Sequence, residues 1–325
     1  MLKDRHNRVH DYLRISIIDN CNFRCTYCMP DENITFLKQK FLMKPEEIFS
    51  ISKTFVDLGI KKIRLTGGEP LMRKDFGEII TQLSSLPIKI GITTNGLLLD
   101  KYLNSILKAN ISSINISLDT LEKEKFKTIT QRNHFDRVWS NIFLCINHNI
   151  HVKLNVVVIK GTNDEELIDF VQLTKDLPIH IRFIEFMPFD QNNWDKDKVL
   201  SNDVAISKIQ QNFSLYKLKD GKNDTDKKFG INGHLGTISF ISTLSDSFCS
   251  TCNRMRVTAD GKMKNCLFGK DELDLISALR NDESLVPIIE KSIYLKHRKL
   301  GGQFEDYQKL KSDELANRSM IKIGG

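Results

Sequence analysis

Apolar residues fall in short runs along the first 190 residues, and the runs alternate with segments of helical periodicity. Segments 12–18, 61–66, 88–94, 112–118, 152–159 and 179–186 are brief, rich in Ile and Val and bounded by polar residues. That is the pattern of strands. Between them, 45–59, 75–86, 100–109, 134–149 and 163–176 read as helices. Pro45 suits the first turn of the earliest helix and Gly59 suits its end. Repeated strand–helix units predict a parallel sheet, either a partial barrel or an open doubly wound sheet.

The pattern changes after Phe189, which predicts a boundary near residue 190. "DQNNWDKDK" is polar, and 199–212 reads as a helix. "KDGKNDTDKKFGINGHLG", 219–236, reads as a loop without core-forming residues. A β-rich stretch follows in "TISFIST" and "NRMRVTADGKMKNCLF", with Asp260-Gly261 as a hairpin turn. Helices are predicted over 271–281 and 284–297, and the tail "RSMIKIGG" reads as mobile.

The composition, 40% hydrophobic and 27% charged over 325 residues, is enough for a core without cysteine staples. No apolar run approaches the roughly 18–20 residues of a membrane span. "MLKDRHNRVHDYLR" has no apolar stretch of a secretory signal. A cytoplasmic, reducing setting with free thiols and no membrane association is therefore expected. The net charge of +7 suits a polyanionic ligand, nucleic acid or a small phosphate ester. No nucleic-acid motif accompanies it, so no nucleic-acid partner is expected.

Six of the seven cysteines form two triplets. Cys21, Cys25 and Cys28, spaced C-x3-C-x2-C, follow the first strand. Ends of barrel strands are where such folds carry chemistry. Three adjacent thiolates repel and need a cation. A closed zinc site takes a fourth protein ligand, and so does a four-iron cluster used only for electron transfer. Three cysteines leave one iron open to a substrate or cofactor. Cys249, Cys252 and Cys266 repeat the arrangement as C-x2-C-x13-C. Two readings stand for this triplet. One is a zinc ribbon with His234, Asp246 or Asp260 as fourth ligand; the other is a second cluster with an open iron. Cys145, in "SNIFLCINH", reads as a buried small hydrophobe.

Strand alternation places Lys62, Arg64 and Thr66 on one face, Arg14 with Ser16, Lys153 with Asn155, and Arg182 opposite Phe183. Central parallel strands are normally almost all apolar, so cations on four of them point to an anion held inside the sheet. Arg254 and Arg256 share a strand face beside the second triplet. Guanidinium forks suit phosphate, and this number of cations suits a triphosphate.

"CNFRCTYC" resembles the signature of the radical S-adenosylmethionine enzymes. With "LRISIIDNCNFRCTYCMP", "KIRLTGGEPLMR", "TTNGLLL", "RFIEFM" and "FCSTCNRMRVTADGKMKNCLF", residues 10 to 269 are similar to the GTP-cyclising branch of that family, which serves molybdenum cofactor biosynthesis. The resemblance implies an α/β fold, an incomplete (βα)6 TIM-type barrel over 1–190. Its open side would be closed by a β-rich and helical segment, 191–325. It implies two [4Fe-4S] clusters, one on Cys21, Cys25 and Cys28 and one on Cys249, Cys252 and Cys266, with S-adenosylmethionine as the further cofactor. Tyr27 and Met187 would pack on its adenine, Gly68 would lie at its methionyl amino group, and Ser117 at its ribose. Arg14, Arg64, Thr93, Lys153, Arg254 and Arg256 match the family's GTP contacts, with Lys62 and Arg182 as additions. Gly324 and Gly325 resemble a tail inserted toward the active site. "IIDN" stands where the family often has "VTDR", and no ligand position is touched.

The implied reaction starts from reductive cleavage of S-adenosylmethionine and joins C3′ of the GTP ribose to C8 of guanine. It needs an external one-electron reductant, and its product passes to cyclic pyranopterin monophosphate synthase. A homodimer is left open. Two other readings stand beside it: a radical enzyme acting on a peptide, and a zinc- or nucleic-acid-binding protein.

Overall fold

The computed structural model describes residues 1–29, 34–310, 315 and 317–324. A short ribbon comes first, β1 (Leu2–Lys3) paired antiparallel with β2 (Val9–His10). Six strands follow in chain order, each parallel to the next: β3 (Tyr12–Ser16), β4 (Lys62–Thr66), β5 (Lys89–Thr94), β6 (Ser113–Ser117), β7 (His151–Val158) and β8 (His180–Glu185). Between them lie α1 (Pro45–Asp57), α2 (Phe76–Ser84), α3 (Leu99–Lys108), α4 (Lys123–Thr130), α5 (Phe135–Asn147) and α6 (Leu167–Asp176). Each predicted strand is found, with ends shifted by two residues at most.

Local chemistry explains the elements. In α1, Pro45 takes the first turn, the Lys44 N–H donates to Glu47 at 2.7 Å, and Ile48, Ile51, Ser52 and Phe55 form the buried stripe. The strands divide their side chains by parity. Leu13, Ile15, Ile63, Leu65, Ile114 and Ile116 are buried in the apolar core with the helices. Residues of the other parity are largely polar and turn to the opposite face. Helix α4 has no counterpart in the sequence prediction. Its buried residues are Phe126, Ile129 and Thr130, too few to set a period.

The second half continues with α7 (Asn202–Gln210), β9 (Leu215–Lys217), β10 (Lys227–Ile231), β11 (Thr237–Ile241), β12 (Arg254–Val257), β13 (Lys262–Lys264), β14 (Leu273–Asp274), α8 (Leu275–Arg280), α9 (Val286–Tyr294) and α10 (Met320–Ile323). Strand β11 pairs parallel with β8, and β12 pairs parallel with β3. One sheet therefore runs β14-β13-β12-β3-β4-β5-β6-β7-β8-β11-β10-β9. The change of pattern at residue 190 does not divide this sheet. The predicted hairpin joins β12 to β13 around Gly261, whose φ is 73°.

Two expectations are corrected. Residues 227–231, expected within a loop, form β10 between β9 and β11, with Ile231 buried and Phe229 edge-on to Phe240 at 5.9 Å. Cross-strand partners supply what the polar sequence lacks. The tail, expected to be mobile, holds α10, with Ile321 and Ile323 buried. Apolar side chains spaced two apart fix it. Gly325 lies outside the described residues.

Candidate active site

Register brings the basic residues into rows. Arg256 is paired with Arg14, Arg14 with Arg64, and Arg64 with Gly91. A Cβ at Gly91 would lie 2.9 Å from a terminal nitrogen of Arg64, so the glycine leaves room for that guanidinium. One step toward the strand starts, Arg254, Tyr12 and Lys62 form a second row. The Lys62 ammonium lies 4.8 Å from the Tyr12 ring centre and the Arg254 guanidinium 5.4 Å from it. Arg64 Nε donates to the Tyr12 hydroxyl at 2.6 Å. Farther round the sheet, Ser117, Asn155, Arg182 and Ser239 share a level.

A cavity of about 290 Å³ opens over these rows. Arg14, Lys62, Arg64, Thr93, Lys153, Arg182, Arg254 and Arg256 all line it. Lys153, early in its strand, reaches it as well. Tyr27, Ser117 and Met187 line the same cavity, as do Cys249, Cys252 and Cys266, whereas Gly68 does not. Burial and mutual repulsion strain the cations. Burial, Arg182 and Lys62 push Lys153 down to about 8, and burial and Arg254 push Arg256 down to about 10. Burial followed by the neighbouring Arg256 drives Arg14 well below its usual range. An anion among them relieves that repulsion.

Sequence reasoning missed several lining residues. Tyr12 has the parity of Arg14 and so carried a signal. Asp226, Thr225 and Lys228 did not, because their segment reads as a loop. Asp226 approaches Arg182 at 3.8 Å and His180 at 3.4 Å. Burial pushes its carboxyl up, but His180 and Arg182 hold it well below the usual range.

The first triplet sits in the loop after β3. Its backbone is tied down where Arg24 and Thr26 N–H groups donate to Thr130 and Ile129 at 2.9 Å. A Cβ at Gly68 would lie 2.3 Å from the Asn20 carbonyl oxygen, so this glycine lets the loop after β4 close on the cysteine loop. Tyr27 donates its hydroxyl to Asp119 at 2.7 Å, and Asp119 also accepts the Val157 N–H at 2.9 Å. Burial, with Glu69 next, raises the Cys21 thiol to about 12; burial and Cys21 raise Cys28 to about 12. These thiols ionise together only on a cation.

The second triplet lines the cavity itself. Cys249 Sγ accepts the Leu300 N–H at 3.4 Å, presented by a turn in which Leu300, Gly301 and Gly302 all have positive φ. Arg8 binds the carbonyls of Cys249 at 2.7 Å, His297 at 2.7 Å and Arg298 at 3.0 Å. The zinc reading loses its fourth ligand. His234 is hydrogen-bonded with Thr174, Asp246 pairs with Lys227, and Asp260 binds Arg318. Among the described residues no three His, Cys, Asp or Glu side chains converge as one metal ion needs. Three cavity-facing thiols with N–H···S support fit an iron–sulfur cluster with one open iron. Cys145 is fully buried, as expected.

Comparison with known proteins places the chain in a family. Residues 15–174 match the Radical SAM superfamily and 179–301 match Molybdenum Cofactor Synthesis C. The chain is 44% identical to "GTP 3′,8-cyclase, mitochondrial" of Arabidopsis thaliana, covering 100% of this chain and 84% of that one. It is 40% identical to "GTP 3′,8-cyclase" of Alkaliphilus oremlandii, with 100% of both covered. It spans about half the length of several other curated relatives it matches. The structure of Streptococcus suis SuiB bound to S-adenosylmethionine superposes with a TM-score of 0.64 at 16% identity, covering 98% of this chain and 79% of that one, a likeness of fold. A cysteine triplet in the loop after β3, a second one lining the cation-rich cavity, and this full-length similarity have one conclusion: the chain belongs to the radical S-adenosylmethionine superfamily and, within it, to the GTP 3′,8-cyclase family.

Proposed function

We propose that the chain catalyses the radical cyclisation of GTP to (8S)-3′,8-cyclo-7,8-dihydro-GTP, the first step of molybdenum cofactor biosynthesis. One observation carries the reading: the Arg256–Arg14–Arg64 row crosses three adjacent strands inside a cavity that the second cysteine triplet also lines. A triphosphate supplies the negative charge that the buried Arg64 and the half-buried Arg14 and Arg256 need. The base would then lie toward Cys249, Cys252 and Cys266, whose cluster would hold it through its open iron.

Cys21, Cys25 and Cys28 would hold the other cluster, which with bound S-adenosylmethionine supplies the reductive cleavage that starts the chemistry. Tyr27, Gly68, Ser117 and Met187 would hold that cofactor, with Tyr27 kept in place by Asp119. Arg14, Lys62, Arg64, Thr93, Lys153, Arg182, Arg254 and Arg256 would hold GTP. The architecture reads as an incomplete (βα)6 barrel whose open side is closed by β11, β12 and the loop between them. Enclosure by these walls keeps water from reactive species. An external one-electron reductant, a cytoplasmic setting and delivery of product to cyclic pyranopterin monophosphate synthase complete the reading. Among the described residues no helix is long and apolar enough to cross a membrane.

Anaerobic incubation of iron-reconstituted protein with dithionite, S-adenosylmethionine and GTP or ATP tests it. Expected products, with GTP only, are 5′-deoxyadenosine and a nucleotide of unchanged mass with new retention. Deoxyadenosine without nucleotide conversion would send the search to another substrate. Arg64→Ala and Arg256→Ala should each raise the GTP KM at least tenfold, roughly the 1.5–3 kcal/mol of a charge-assisted hydrogen bond, with iron content unchanged.

A further inference from the structure

Lys296 follows α9 and is 2% exposed. Its ammonium donates to the Arg254 carbonyl at 2.6 Å and to Cys252 Sγ at 3.5 Å. Among the described residues no carboxylate pairs with it. The buried Asp4 is engaged by Arg8 at 2.6 Å and His10 at 3.0 Å. Arg8 also clamps the Cys249, His297 and Arg298 carbonyls, so the segment carrying Lys296 is fixed against the triplet loop.

A buried ammonium without a counter-ion is strongly unfavourable. Here the groups that feel its charge are the Cys252 and Cys266 thiols and the His10 imidazole. A four-iron cluster on three thiolates is a net anion, and one-electron reduction makes it more negative. Hydrogen bonds and charge at the ligating sulfurs set how readily such a cluster is reduced. We infer that Lys296 is a positioning residue for the second cluster: its ammonium is the cluster's fixed counter-charge, holding Cys252 in place and stabilising the reduced state. This inference rests on the two-cluster reading above. It assigns a buried cation to cluster electrostatics, apart from the cations assigned to the triphosphate.

The test uses the reconstituted full chain and two variants, Lys296→Met and Lys296→Arg. Iron and sulfide per chain, and a potentiometric titration followed by electron paramagnetic resonance, are the readouts. Lys296→Met is expected to make the second cluster about tenfold harder to reduce, a shift of about 59 mV to more negative potential for a one-electron couple. Lys296→Arg is expected to stay close to wild type, and the first cluster should not shift in either. A Met variant that titrates at the wild-type potential overturns the inference. If the Met variant loses the second cluster, the Arg variant decides: full iron supports the counter-charge, and equal loss overturns it. Wild-type protein with iron for only one cluster would instead sink the two-cluster reading.

Discussion

Tyr12 is neutral by residue type, yet cations surround its phenol. Burial pushes the phenol up, but Arg64, Arg14, Arg254 and Lys62 prevail and bring it down to about 6. Above that pH the free protein carries a phenolate among its guanidinium groups. A bound triphosphate adds negative charge beside it and favours the protonated phenol, so binding takes up a proton. Affinity for GTP is therefore expected to fall as pH rises above 6, until the phenol of the complex also ionises. Tyr12→Phe removes its share of the slope, between pH 6 and 8, and leaves the share of Lys153, whose ammonium is pushed down to about 8. Calorimetry in buffers of different ionisation enthalpy reads the proton uptake directly, and a wild-type affinity flat from pH 6 to 9 would overturn the assignment. The residue was half legible in the sequence. Its parity put it on the face of Arg14, but a tyrosine opening a strand reads first as an ordinary strand former.

Among the elements, the loop between β11 and β12 depends on one carboxylate. Glu185, at the end of β8 and 2% exposed, accepts the N–H groups of Thr243 at 2.9 Å, Leu244 at 2.8 Å and Ser245 at 3.2 Å. Those donors start the turn that leads to Cys249. Glu185→Ala would leave the Thr243 and Leu244 donors buried and unpaired, at about 1–3 kcal/mol each. The expected result is a lower melting temperature and loss of second-triplet iron, with iron at the first triplet retained; a variant with full iron would show that the loop holds without this anchor. Glu185 lies in "RFIEF", where the sequence showed a strand but not the loop it would support. The six strands β3 to β8 were legible because Ile and Val recur in short bounded runs. Strand β10 was not, because its Lys227 and Lys228 gain their place only from pairing with β11, a contact between residues apart in sequence. The cysteines stood out by spacing alone, whereas Asp226 came to Arg182 only through the fold.

At the scale of the whole molecule, the boundary expected near residue 190 parts strands of one sheet, which makes it testable. Strands β3 and β8 each have a neighbour on both sides only because β12 and β11 pair with them. Without residues 191–325 both would expose a row of unpaired N–H and C=O groups, the template for edge-to-edge association. The same cut would uncover the cation rows now walled by Arg254, Arg256 and the Cys249–Cys252 loop, leaving Arg14 and Arg64 facing each other without enclosure. A fragment of residues 1–190 is therefore expected to aggregate, and co-expression with 191–325 to restore a soluble complex. Light scattering on the fragment, and calorimetry on the intact chain, measure this. The intact chain should unfold in one main transition, since the sheet couples both halves. A monomeric 1–190 fragment with its own cooperative melt would place a domain boundary where the composition changes, and β11 and β12 would then be additions to a barrel already stable without them.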